Sequence, residues 1–342
     1  MKAVVVDRYV ENYGELRVSE VAKPKAKDDE ILIQVKAAGV NFVDTLYARG
    51  LHQNNRRHIK PPFTLGLEFA GLVLSSPTTS PFRPGDGVFG AYAGSYSEYI
   101  VLPSSYPVYR VPPSWSYAEA AGIAATLPVS YGALSLPGVL KPGSTVLVHA
   151  AAGGLGLAAV QICSALGYRV FGTAGSAAKC RLAGFFGAEA CIDYEADPRW
   201  WDRVVSLTDG NGVDVVFDSV GLVEQSIKCL AHRGRALVVG FAGRNRENLE
   251  KVAMNRVLLK QASLIGYRFG ETGRRYPHET TIIWEALLPL IKSGRIKPAV
   301  YDREYRDLGS VPRALEHVAS RKVWGKAVIL IDDDASRQRA SL

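Results

Sequence analysis

Apolar and polar positions follow two rhythms along the chain. In the first third, apolar residues recur in short runs with a period of two. The stretch 30–38 shows it best: Ile31, Ile33, Val35 and Ala37 share one face, Leu32, Gln34 and Lys36 the other. That is the pattern of a strand with one side on a core. Lys2–Val6 is a further apolar strand. Pro61-Pro62, Pro77, Pro81 and Pro84-Gly85-Asp86-Gly87 divide the residues after the long strand into a small closed β structure, interrupted by a short helix over 42–49.

From about Lys141 the rhythm lengthens. A buried strand over 145–150 leads into a glycine-rich turn and a helical stretch ending at Leu166. A strand over 168–173 and a helix over 176–186 come next. Short apolar strands over 190–193, 213–218, 235–240 and 263–266 then alternate with segments of helical length. Such alternation predicts βαβ units and a parallel sheet covered on both faces. A helix over 279–293 comes after them, then strand, helix and a last strand over 326–331, before a polar tail, 332–342. The order predicts an α/β protein with a Rossmann domain, a doubly wound parallel sheet, over 125–267. It is inserted into a β-rich domain formed by 1–124 and 268–342, whose last strand returns to complete the first sheet. A cleft between the two is the expected ligand site.

Composition narrows the class. With 47% apolar and 22% charged residues the chain reads as globular, and no run approaches the roughly 20 apolar residues of a membrane span. The first residues turn polar too soon for a secretory signal, so a cytoplasmic location is expected. The final Ala340-Ser341-Leu342 resembles a peroxisomal tripeptide but lacks its central basic residue. The net charge of +8 admits nucleic acid, a membrane surface or anionic ligands as partners. Basic residues are dispersed except at Arg56-Arg57-His58-Ile59-Lys60 and Gly273-Arg274-Arg275. Cys163, Cys180, Cys191 and Cys229 form no CxxC pair and read as buried reduced thiols. The histidines show no ligand spacing either, so no metal is expected.

Ala151-Ala152-Gly153-Gly154-Leu155-Gly156 carries the chemistry. It joins a strand to a helix and fits G-x-G-x-x-G with Ala151 in the first slot. Gly153 admits a pyrophosphate close to the backbone, Gly156 lets helix and sheet pack, and the helix N-terminus, with Gly154 and Leu155, attracts the phosphates. NAD-binding proteins place an acid near the end of the second strand. Here Phe171-Gly-Thr-Ala-Gly-Ser176 contains none, and Lys179 comes three residues later. A hydroxyl and an ammonium suit a 2′-phosphate, and Tyr194 adds a phenol, so NADPH is the expected cofactor. Ser176 also reads as the cap of the next helix, and Lys179 as a solvated charge.

Beyond that motif, Ala38-Gly-Val-Asn-Phe-Val-Asp44, Gly66-Leu-Glu-Phe-Ala-Gly71, Arg83-Pro-Gly-Asp-Gly-Val88, Phe217-Asp-Ser-Val-Gly221 and Val238-Val-Gly-Phe-Ala-Gly243 run in order along the chain. Together they resemble the zinc-independent medium-chain dehydrogenases/reductases, and within them the zeta-crystallin-type NADPH:quinone oxidoreductases. The resemblance implies a GroES-like catalytic domain around the Rossmann domain and assembly as a homodimer. Zinc-dependent relatives carry a ligand cysteine in the first motif and a histidine in the second, where this chain has Gly39-Val40-Asn41 and Gly66-Leu67-Glu68. By the same resemblance Asn41 approaches the nicotinamide end. Ser176, Lys179 and Tyr194 surround the 2′-phosphate, Gly240, Phe241 and Ala242 line the nicotinamide ribose, and Lys326 reaches the cofactor. A threonine of that family near the carboxamide is replaced by Val129, with Thr126 or Ser130 as substitutes. The segment 51–64 is longer and more basic than is usual there.

The implied reaction is hydride transfer from NADPH to a quinone, with Asn41 as polar anchor and Tyr47 as hydrogen-bond donor to the developing oxyanion. Tyr47 reads equally as a core or rim aromatic. An enoyl reductase acting on an enone or enoyl thioester uses the same cofactor and fold. From another class, an RNA- or partner-binding protein that retains an NADPH site would make use of the positive charge.

Overall fold

Aliphatic residues at alternate positions build the first sheet. The computed structural model describes residues 1–135, 138–244 and 248–331; the expected polar tail and its terminal tripeptide lie outside them. The first strands are β1 (Lys2–Val6), β2 (Arg17–Glu20), β3 (Glu30–Val40), β4 (Phe63–Thr64), β5 (Glu68–Ser75), β6 (Gly87–Ala91), β7 (Tyr99–Pro103) and β8 (Val108–Arg110). β3 is the spine, pairing antiparallel with β5 and with β7, while β1 pairs with β2 and β4. Ile31, Ile33 and Val35 point into a core with Phe69, Val73, Val88 and Leu102, each aliphatic contributing about 1.5–3 kcal/mol on burial. Past Val35 the alternation ends, because Lys36 and every residue to Asn41 are buried on both faces.

The second unit is a parallel sheet of β9 (Thr145–Val148), β10 (Arg169–Ala174), β11 (Ala190–Asp193), β12 (Val213–Asp218), β13 (Leu230–Val238) and β14 (Ser263–Gly266). Its order is β11-β10-β9-β12-β13-β14, so the direction of winding reverses beside β9, where doubly wound folds place ligands. β13 begins five residues earlier than its apolar run suggested, and its pairing with β12 shifts register between Val213 and Val215. Leu147, Phe171, Val216 and Leu230 form the core with Trp200 and Val204 of the helix Trp200–Leu207. Cys163 and Cys229 are buried; Cys180 and Cys191, expected to be buried too, are only half-buried, and all four thiols are free.

The chain then returns with β15 (Tyr305–Arg306), the helix Val311–Ala319 and β16 (Ala327–Leu330), which pairs antiparallel with β3 as expected. The compact units are residues 1–125 with 298–342, and residues 126–297. The expected boundary at 267/268 is therefore corrected to 297/298. The helices Phe269–Arg275 and Pro277–Lys292 pack on the helix Leu127–Ser135, where a Cβ on Gly132 would collide with Tyr267 and lie 2.9 Å from Ile283. Gln161 then ties the last residue of the unit, donating to the Lys297 carbonyl at 3.2 Å and accepting from its N–H at 2.8 Å. Among the described residues no helix is long and apolar enough to cross a membrane.

Candidate functional site

The glycine turn begins where β9 ends. His149 N–H donates to the Phe217 carbonyl and Ala151 N–H to that of Thr173, so the turn is held by both neighbouring strands. Gly153 caps the helix Gly154–Ala165. The two glycines serve different purposes. A Cβ on Gly156 would collide with the Ala150 carbonyl oxygen, so the fold itself requires glycine there. A Cβ on Gly153 would meet only that oxygen, at 3.2 Å, and nothing else within 4 Å. Its bare face is open beside a helix N-terminus, the combination that receives a phosphate. Ser130, fully buried, donates to the Leu155 carbonyl at 3.0 Å and so props the turn from behind.

At the next crossover Ser176 accepts from the Lys179 N–H at 3.2 Å, capping the helix Ala177–Phe185. A Cβ on Gly175 would sit 2.7 Å from the Tyr194 hydroxyl. Ser176, Lys179 and Tyr194 thus gather at the carboxyl ends of β10 and β11. Past β12, Asp218 accepts from the N–H groups of Val220, Gly221 and Leu222 at 2.6–2.8 Å. That clasp shapes the loop against which the Gly240-Phe241-Ala242 turn packs, Ala242 N–H donating to the Ser219 carbonyl. Phe241 is left exposed.

Sequence reasoning passed over His149. It is wholly buried, with Nδ1 2.8 Å from Thr173 Oγ1, Nε2 2.8 Å from Ser226 Oγ, and Trp200 edge-on. Ser226 gives its one proton to the Leu222 carbonyl, so it accepts from Nε2–H, and Nδ1 accepts from Thr173. Burial holds the imidazole neutral by lowering its pKa, against the opposing charge of Asp218. The ends of β9 and β10 and the short helix Val223–Ser226 are thereby joined.

In the other unit, Asn41 follows β3 and caps the helix Phe42–Ala48, its N–H donating to Asp44 Oδ2 at 2.9 Å. The spacing Asn41-x-x-Asp44 is a capping signal legible in sequence. The Asn41 side chain is clamped: its amide donates to Glu68 Oε2 at 3.1 Å and to the Gly39 carbonyl at 3.4 Å, and its oxygen accepts from Lys326 Nζ at 2.6 Å. Lys326 Nζ also lies 2.7 Å from Glu68 Oε2, a buried ion pair, while Glu68 Oε1 accepts from Ala125 N–H at 2.7 Å. Asp44 takes a second bond from Tyr96 at 2.8 Å, yet its Oδ1 is buried without a partner, and burial raises its pKa to about 6. Tyr47 sits further along the helix, in the core, with its hydroxyl accepting from Asn54 at 2.9 Å and its ring 4.5 Å from that of His52. Glu68, Asp44 and Tyr96 carry no expected role, although the first two close motifs visible in the sequence.

Gly39 leaves no room for a side chain. A Cβ there would collide with the Ala121 carbonyl and lie 2.5 Å from Glu68 Oε2. Among the described residues no three or more His, Cys, Asp and Glu side chains gather as a metal site needs.

A β-rich unit closed by the chain's own end, together with a Rossmann sheet whose first turn is rich in glycine, defines an oxidoreductase of the medium-chain dehydrogenase/reductase class. Residues 27–113 match the alcohol dehydrogenase GroES-like domain and residues 154–289 the family model described as zinc-binding dehydrogenase. The chain is 35% identical over 328 residues to quinone oxidoreductase-like protein 2 of Bos taurus, covering 92% of this chain and 88% of that protein. The Escherichia coli quinone oxidoreductase complexed with NADPH superposes with a TM-score of 0.83 at 28% identity, covering 96% and 100% of the two chains. The CurF ER cyclopropanase of curacin A biosynthesis does so with a TM-score of 0.83 at 26% identity, covering 96% and 99%. The protein belongs to the quinone oxidoreductase type of the medium-chain dehydrogenases/reductases.

Proposed function

We propose that the protein binds NADPH and reduces a quinone to its hydroquinone. The observation that carries this reading is the contrast between Gly156, filled by the protein's own backbone, and Gly153, bare and open at a helix N-terminus. The pyrophosphate would lie on Gly153, Gly154 and Leu155, and the 2′-phosphate among Ser176, Lys179 and Tyr194. Gly240, Phe241 and Ala242 would line the nicotinamide ribose, and in the other unit Asn41 and Lys326 are the residues that the family likeness assigns to the cofactor. The residues present fit the group, which when bound supplies a hydride. A quinone accepts it and takes a proton from solvent, so the protein's task is orientation and exclusion of water more than acid catalysis.

Asn41 enters as a fixed dipole, since Lys326, Glu68 and the Gly39 carbonyl occupy its polar atoms. Tyr47 would offer its phenol proton to the acceptor oxygen, its own oxygen accepting from Asn54 and its ring resting against His52. The fold is shared with the CurF ER cyclopropanase and so does not itself choose the acceptor. The reading also includes action in the cytoplasm and a homodimer, the latter supported by the open edge of β14 beside exposed Met254, Leu258 and Leu259.

The test is NADPH oxidation with 1,2-naphthoquinone, 9,10-phenanthrenequinone and trans-2-hexenoyl-CoA, each repeated with NADH. Quinone turnover with preference for NADPH is expected. Lys179→Ala should raise KM for NADPH about tenfold and leave that for NADH nearly unchanged, as loss of a charged phosphate contact would. Turnover of the enoyl thioester alone would replace the quinone reading.

A further inference from the structure

Between Asp44 and Glu68, both buried, the chain carries no carboxylate but carries Arg49, Arg56, Arg57 and Lys60. All four cations are exposed, and none is in a salt bridge among the described residues. Ordinarily such a run is a loosely solvated loop. Here it is anchored from below. Asn55 is buried, accepting from His52 N–H at 3.1 Å and donating to the Ile59 carbonyl at 3.2 Å and the Tyr47 carbonyl at 3.5 Å. Asn54 N–H donates to His52 Nδ1 at 3.1 Å, and Asn54 Nδ2 donates to the Tyr47 hydroxyl. The Tyr9 hydroxyl reaches the Ile59 carbonyl at 3.4 Å, while the Tyr9 ring fills the space a side chain on Gly50 would need. At its far end the segment enters β4, which pairs with β1.

This fixed cationic loop hangs on the helix that Asn41 caps. Tyr47 is six residues beyond Asn41, about 9 Å along a helix rising 1.5 Å per residue. The loop that carries the cations is thus tied to the helix leading away from the Asn41–Lys326–Glu68 cluster, on the same unit. We infer that the loop 52–60 is an anion-docking rim, with Arg56, Arg57 and Lys60 receiving a carboxylate or phosphate carried on a tail of the acceptor. The inference rests on the oxidoreductase reading above and assigns that site a substrate class: acceptors whose reducible ring or enone is uncharged and whose tail is anionic. Guanidinium groups suit both anions, since their paired N–H donors match two oxygens.

The test uses a naphthoquinone bearing an alkanoate side chain and the methyl ester of the same compound, so that only the charge differs. With the full-length protein and NADPH, KM for the alkanoate should lie below that for the ester at about 0.05 M salt. The two should converge near about 0.5 M, where screening leaves little of an exposed attraction. Arg56→Gln with Arg57→Gln should raise the alkanoate KM about five- to tenfold and move the ester KM far less, kcat being the same for both compounds. Calorimetric titration of the same pair without NADPH reads docking independently of turnover. Should neither quinone be reduced, the quinone reading fails, yet tighter alkanoate binding that is lost in the double variant would still uphold the rim. Equal KM values and equal binding for acid and ester would overturn it. So would a double variant that loses only salt-sensitive RNA retention, placing a nucleic acid there instead. Arg56→Lys with Arg57→Lys should restore part of the preference, which separates lost charge from a disturbed loop.

Discussion

Asp44 and His149 are both sealed from water, and acid acts on them in opposite directions. Asp44 is raised by burial to about 6, against an ordinary value of 3.8. Between pH 4 and pH 6 the unfolded chain has released this proton while the native one holds it, so stability falls as pH rises through that window and is level above it. His149 is lowered by burial, so the unfolded chain takes up its proton first and stability falls as pH drops below 6.5. The wild-type profile therefore superposes two opposing slopes. Asp44→Asn isolates one of them, since an amide oxygen still accepts from Asn41 N–H and Tyr96 and carries no charge. The wild type should lose stability relative to Asp44→Asn on going from pH 4 to pH 6, by on the order of 3 kcal/mol at one pKa unit per 1.36 kcal/mol. Denaturant unfolding of both proteins across that range measures it. Parallel profiles would show that Asp44 ionises normally.

Among the elements, the glycine turn was the most legible, because its chemistry is local: strand, turn and helix lie in one stretch of sequence and glycine spacing encodes the backbone path. The glycine spacing also assigns the two glycines different purposes, Gly153 to a phosphate and Gly156 to packing. Gly156→Ala should cost about 2–4 kcal/mol, because the new Cβ meets a carbonyl that both neighbouring strands hold in place. Gly153→Ala should fold with a stability within about 1 kcal/mol of the wild type and lose NADPH affinity tenfold or more, since its methyl would occupy the phosphate's approach. Thermal melts paired with fluorescence titration of NADPH tell the two apart. The reverse pattern, with Gly153→Ala unstable and Gly156→Ala weak only in binding, would place the phosphate elsewhere. Of the Asn41–Glu68–Lys326 cluster, resemblance names Asn41 and Lys326 singly, and neither Glu68 nor the meeting of the three is legible in sequence. Lys326 meets Asn41 across a sequence separation of 285 residues, and nothing in local periodicity reports which distant side chains will share a buried charge.

At the scale of the molecule, sequence rhythm gave the order of the two units and the return of the last strand, but misplaced one boundary by thirty residues. The helix Pro277–Lys292 is amphipathic, and amphipathicity says that a face is buried without saying against which sheet or helix. The same consideration applies to faces that find no cover within one chain. Among the described residues β14 ends the parallel sheet with one edge unpaired, and on the helix that precedes it Met254, Leu258 and Leu259 are 65%, 75% and 76% exposed. An open edge with apolar neighbours invites pairing with another strand. Under two-fold symmetry a second copy would present β14 antiparallel to the first and continue the sheet across the axis. The wild type should therefore sediment at twice its 37.1 kDa chain mass. Leu258→Glu with Leu259→Glu should yield a folded monomer, because four like charges would be brought together at the axis with their desolvation uncompensated. Sedimentation velocity over a range of concentrations decides the matter. A wild-type monomer would show that the edge stays open, and a dimer surviving both substitutions would place the interface on another face.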